Sequence, residues 1–172
     1  MTFDLDADLV RFRTALASVT VIGVEGAKVE DVNRLVAELS KLGKFQVMDA
    51  GRVLGEDHVR FACFEALRSF ATGQNLTASL PMEILVRAAC TTQISEAIAR
   101  VGVRKGCAEV VLVAVGSDGY AISRAVGLLG GRVSPRPLEP STKKRATVKE
   151  LFCLDEPVEK TLLERIALCA VV

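Results

Sequence analysis

The residues able to do chemistry in this chain are few, and most are badly placed for one another. The single histidine, His58, lies five positions from Cys63. On a helix that spacing puts the two on different faces, so no imidazole–thiol pair is expected. The five cysteines (Cys63, Cys90, Cys107, Cys153, Cys169) are odd in number, mostly sit inside apolar runs and form no CxxC. A structural zinc site takes about four Cys or His ligands, typically in close pairs, so no metal site is expected; reduced, buried thiols are. No GxxxxGKS/T loop occurs, and no GxGxxG follows a strand. Gly116–Gly119 (GSDG) joins an apolar run to a helical pattern. It can seat a phosphate, or simply turn the chain and cap a helix. Carboxylates fall mainly on polar faces, with no apolar setting to mark one as a perturbed acid. No catalytic residue and no cofactor are expected.

The stretch 82–103, MEILVRAACTTQISEAIARVGV, offers more. Its first half is an apolar run, Ile84 to Ala89, that admits one charge, Arg87; Cys90, Thr91 and Thr92 follow, and then a clean amphipathic pattern. Met82 to Ala89 reads as a strand and Gln93 to Val101 as a helix, with Ile94, Ala97, Ile98 and Val101 on one face. A strand that delivers the chain to a helix start leaves free backbone N–H groups, a common place to hold an anion. Thr91, Thr92 and Gln93 form that junction, and Arg87, Arg100, Arg104 and Lys105 can add a small positive patch. Phosphate contacts of this kind position RNA without reading its sequence. The plainer alternative is that Thr91 or Thr92 only caps the helix.

The elements that must carry these residues follow from periodicity. Val19 to Val24 (VTVIGV), FQVMDA from Phe45 and Glu109 to Val115 (EVVLVAV) read as further strands. Asp31 caps a helix bearing Val32, Leu35, Val36 and Leu39, ended by Gly43. A longer helix runs from about Asp57 to Ala71, closed by Gly73, and Ser117 caps one carrying Ile122, Ala125, Val126 and Leu129. Residues 132–147, with three prolines and five basic side chains, read as a loop or exposed arm. Val148, Leu151 and Phe152 suggest a short helix, and Pro157 introduces the last one, with Val158, Leu162, Ile166 and Cys169 as its stripe. The expected fold class is α/β, in which amphipathic helices cover a mixed sheet of about four strands, forming one domain over 1–172.

The 57–71 helix carries apolar groups on two faces. Val59, Ala62, Cys63, Ala66 and Phe70 share one, while Phe61 falls nearly opposite, beside Glu65 and Arg68, with Phe64 at the border. Either a second element covers Phe61 and Phe64 or a partner protein does.

Composition bounds the rest. The chain has 172 residues, half of them hydrophobic, with no Trp, one Tyr and a net charge of +1. A chain of that length buries about two-thirds of its unfolded surface. No apolar run approaches the roughly 18 residues a membrane span needs, and the N-terminus, MTFDLDADLVRF, is acidic where a signal peptide is basic. A soluble, cytoplasmic protein without a membrane partner is expected.

The stretch 56–106, EDHVRFACFEALRSFATGQNLTASLPMEILVRAACTTQISEAIARVGVRKG, resembles the family of the KEOPS subunit that binds the complex's small kinase (TPRKB in animals). The resemblance rests on the DHV helix start, GQNLTASL, MEILVRA, QISEAI and GVRKG, with KELF and LLERIAL near the C-terminus. It runs from about Val19 to the end, leaving 1–18 as an extension. It implies a two-layer α/β sandwich and a non-catalytic subunit whose partners are the small kinase/ATPase subunit, tRNA and, indirectly, other KEOPS subunits. It also implies a part in recruiting tRNA by its 3′ CCA end for threonylcarbamoyl-adenosine modification. The RNA-binding set is then Arg87, Thr91, Thr92, Gln93, Arg100, Arg104 and Lys105, and the partner-binding set Phe61, Phe64 and Arg68. Members commonly carry a Ser/Gly step and an Arg before QI, where this chain reads Ala89-Cys90-Thr91-Thr92, which removes one phosphate contact. The alternative reading is a small-molecule-binding regulatory α/β domain, or a minor enzyme using the Gly116–Gly119 turn.

Overall fold

A computed structural model describes residues 18–169. Four strands, β1 (Val19–Glu25), β2 (Lys44–Asp49), β3 (Glu109–Val115) and β4 (Arg132–Val133), form one sheet in the order β2-β3-β1-β4. The central pair, β1 and β3, runs in register from Val19↔Val115 to Glu25↔Glu109. The α/β sandwich with four strands stands, but the pairing is antiparallel throughout, where a mixed sheet was expected.

Helices lie on both faces, so the expected two layers become three. β3 explains why its sequence is an unbroken apolar run: Val111 and Val113 point into one core, Val110, Leu112 and Ala114 into the other. The second core is covered by α1 (Val32–Leu42) and α5 (Gly119–Leu129), through Leu35, Leu39, Ala125 and Leu129. The first core is covered by α2 (Glu56–Thr72), α3 (Leu80–Ala88), α4 (Ile94–Val101), α6 (Thr142–Phe152) and α7 (Val158–Leu168). Asp31 caps α1 by accepting from Arg34 N at 3.0 Å, and Gly73 ends α2 in the left-handed conformation. No helix among the described residues is long and apolar enough to cross a membrane.

The largest departure from expectation is at 82–89, which is not a strand but the body of α3. Pro81 in the first turn favours a helix start, and Glu83 and Arg87, four apart, meet as helical neighbours. The 3.6-residue period is hidden because the helix is enclosed: residues 83–88 are all buried. The fourth strand is instead the two-residue β4. The stretch 132–147 is also more than a loop: it holds β4, a 3-10 turn at Arg136–Leu138 and the start of α6. Buried Lys144 ties it together, its Nζ donating to the carbonyls of Pro137 and Glu139 (2.5 and 3.0 Å). Burial pushes the Lys144 pKa down.

Candidate functional site

The junction before α4 is a helix–turn–helix corner. Cys90 adopts the left-handed conformation (φ 51°) just past α3; Cys90 N donates to Arg87 O (3.1 Å) and Thr91 N to Val86 O (3.2 Å). That double closure is a Schellman cap with cysteine in the place usually held by glycine. Thr91 is buried, and its hydroxyl is occupied twice: it accepts from Gln93 N (3.2 Å) and donates to Glu96 Oε2 (2.5 Å). Thr91 therefore organises the start of α4, while Thr92 and Gln93 lie exposed beside it. The Glu96 carboxylate sits in the first turn of α4, opposing a second anion there.

The four basic residues expected around this corner are not brought together. Arg87 is completely buried; its Nε and Nη2 donate to Glu83 Oε1 (2.9 and 2.7 Å), and Nη1 is without a hydrogen-bond partner among the described residues. An arginine inside the core does not meet a solvent phosphate, and the expectation for Arg87 is corrected on that ground. Arg100 donates to Ala89 O (3.0 Å), pairs with Glu96 and lies 5.7 Å from the Phe152 ring centroid. It braces the corner from α4 onto α6. Arg104 and Lys105 follow the far end of α4, about 12 Å along the helix axis from Thr92 and Gln93. Arg104 pairs with Asp49, which pushes its pKa up; Lys105 is exposed without an ion-pair partner among the described residues. Two separate edges result, one at Thr92–Gln93 and one at Arg104–Lys105.

On α2, Phe61 and Phe64 stack with ring centroids 6.0 Å apart and planes inclined by 9°. Both are half-buried, and Phe61 leans on the first core. Arg68 continues the same side, held by Glu65 Oε2 at 2.6 Å. The pair presents an aromatic edge without being core.

The structure also shows groups that sequence reasoning missed. Glu83 is a buried hub: Oε2 accepts from Leu76 N (2.9 Å), Thr77 N (2.8 Å) and Thr77 Oγ1 (3.1 Å), and Oε1 from Ser69 Oγ (3.1 Å) and Arg87. It thereby pins the GQNLTASL connection between α2 and α3; the signal was a carboxylate and an arginine four apart in an apolar run. His58 is buried: Leu54 N donates to its Nδ1 (3.0 Å), its Nε2 donates to Ala88 O (2.8 Å), and burial holds its pKa down to about 4. It is a neutral core imidazole. Cys63, free and buried as the sequence led one to expect and pushed up to about 12 by burial, is an equally inert thiol. In the Gly116–Gly119 turn, Asp118 Oδ1 accepts from Ala121 N (2.8 Å), so the N-terminus of α5 already carries its own carboxylate. A further feature is an apolar groove of about 670 Å³ between α1, β2 and the start of α3.

Comparison with known proteins gives a consistent result. Residues 27–172 match the family described as kinase binding protein CGI-121. A relative from Methanocaldococcus jannaschii, called regulatory protein Cgi121, is 32% identical over 149 residues, covering 85% of this chain and 93% of the relative. A protein from Pyrococcus abyssi, called KEOPS complex subunit Cgi121, is 31% identical over 90 residues, covering 52% of this chain and 53% of its own length.

Proposed function

The chain belongs to the CGI-121 family of kinase binding proteins, and from that membership we propose that it is a non-catalytic regulatory subunit of a KEOPS complex. In this reading it binds the small kinase/ATPase subunit, alters that subunit's activity and helps recruit tRNA by its 3′ CCA end for threonylcarbamoyl-adenosine modification. It works in the cytoplasm.

The observation that carries the partner role is the stacked Phe61–Phe64 pair, half-buried beside Arg68 on the outer side of α2. Aromatic residues next to an arginine are the residue types that dominate protein interfaces. For RNA, the reading assigns phosphate contacts to Lys105 and Arg104, and the exposed Thr92–Gln93 edge to a single-stranded end. The non-catalytic reading is supported by the chemistry of the groups most able to react: His58 and Cys63 are buried, and Asp118 in the Gly116–Gly119 turn caps α5.

Co-purification from native lysate tests this directly. Recovery of a small kinase, with ATPase activity that changes when this chain is added back, is the expected outcome. Recovery of no kinase, or turnover by this chain alone that a single substitution in it abolishes, overturns the proposal.

A further inference from the structure

We infer that the apolar groove between α1 and the start of α3 is a seat for this chain's own residues 3–9, FDLDADL. This does not rest on the kinase or RNA reading. The groove is walled by Val36, Phe45, Val47, Leu80, Met82 and Ile98. Val36 and Ile98 both line it and are 52% and 47% exposed, which leaves apolar surface in water. Among the described residues, the one charged side chain lining it is Lys44, which has no ion-pair partner there.

Three properties of the chain ahead of Ser18 fit that groove. The first is origin. Val19 registers with Val115, and Val115 with Lys44, so the chain leaves β1 two strand spacings, about 10 Å, from Lys44. Ser18 shares a cleft with Gly43, Lys44 and Leu80, all three of which also line the groove. The second is length: residues 10–17 supply up to about 26 Å of reach. The third is pattern. Phe3, Leu5, Ala7 and Leu9 alternate with Asp4, Asp6 and Asp8. In an extended chain such alternation separates an apolar edge from an acidic one. The apolar edge matches the walls, and the carboxylates match Lys44. A short tether holds its segment at an effective concentration on the order of millimolar, so even a weak contact is populated without any partner.

On this proposal an external segment must displace residues 3–9 to use the groove. Methyl NMR on the full chain tests this, comparing the native sequence with Leu5→Asp/Leu9→Asp and with Lys44→Glu. The expected result is a shift of the Val36, Leu80 and Ile98 methyls in both variants, with Ile84 and Ile166, buried elsewhere, unmoved. The shifts should be identical after tenfold dilution, and a synthetic peptide of residues 1–17 added to the Leu5/Leu9 variant should reverse them. Unchanged groove methyls overturn the inference. So do shifts that disappear on dilution, which assign the groove to a second copy, and shifts that spread to Ile84 and Ile166, which report a general change of fold.

Discussion

At the scale of single residues, the buried polar groups explain more than the exposed ones. His58 is held neutral, with its pKa near 4 against an ordinary 6.5, because burial disfavours the charged ring. A group whose folded pKa is depressed keeps its full stabilising effect above the unfolded value. Here that effect is lost as pH falls from about 6.5 toward 4, where the unfolded chain binds the extra proton. The size is on the order of 3 kcal/mol across that window. Urea titrations at pH 7.5 and pH 5 should show the loss, and His58→Gln should flatten it. Glu83 and Arg87 make a second case. Removing Glu83 leaves a buried guanidinium without its carboxylate and orphans the amides of Leu76 and Thr77; removing Arg87 leaves Glu83 with those donors and Ser69. Glu83→Leu, which removes both acceptor oxygens, should therefore cost about 3–5 kcal/mol and Arg87→Met clearly less. Equal losses in chemical denaturation would refute that asymmetry. The role of His58 does not show in the sequence, because a lone histidine carries no sign of what surrounds it; the Glu83–Arg87 pair leaves only a faint one, opposite charges four apart in an apolar run.

Among the elements, what was legible was whatever had only one buried face. α1, α4 and α5 show clear stripes, and Leu35, Leu39, Ala97, Val101, Ala125 and Leu129 are buried as expected, while Val36, Ile94 and Ile98 of the same stripes stay exposed. α3 failed this test for a physical reason: enclosed on all sides, it lost its polar face, and a nine-residue apolar helix then resembles a buried strand. Cys153, the C-cap of α6, adopts φ 49° on the surface. A β-carbon there is strained, so Cys153→Gly should stabilise by about 1 kcal/mol and raise Tm by about 2–4 °C. An unchanged or lowered Tm would show that the cysteine side chain contributes more than its backbone costs. α2 bears on function. Because Phe61 and Phe64 are half-buried, replacing both with Glu keeps the charges near water and should leave a folded chain. Kinase co-purification should then fall at least tenfold, since interface aromatics carry about 1.4 kcal/mol or more each. Loss of the far-UV dichroism signal would instead make the pair part of the core.

For the whole molecule, the corner at Thr91 has become a brace, which moves the RNA surface proposed for this chain. The sequence brought Arg87, Arg100, Arg104 and Lys105 together by assuming a strand that ends where α4 starts. The helix withdraws Arg87 into the core, commits Arg100 to Ala89 and Glu96, and leaves Arg104 and Lys105 beyond the other end of α4. With a net charge of +1, no general field gathers RNA, so any affinity must come from local contacts of this kind. Each phosphate neutralised releases counterions and adds roughly 0.7–0.9 to the slope of log affinity against log salt. Lys105→Glu is the clean variant, because Lys105 holds no ion pair among the described residues, whereas reversing Arg104 would set a carboxylate against Asp49. Lys105→Glu should weaken tRNA binding across sequences and flatten the salt slope by about 1. Trimming the CCA end should weaken binding more than altering the anticodon. Gel shifts at two salt concentrations, with intact and trimmed tRNA, separate the outcomes. An unchanged slope together with equal binding of trimmed tRNA would move RNA recognition off this chain and leave it the kinase contact alone.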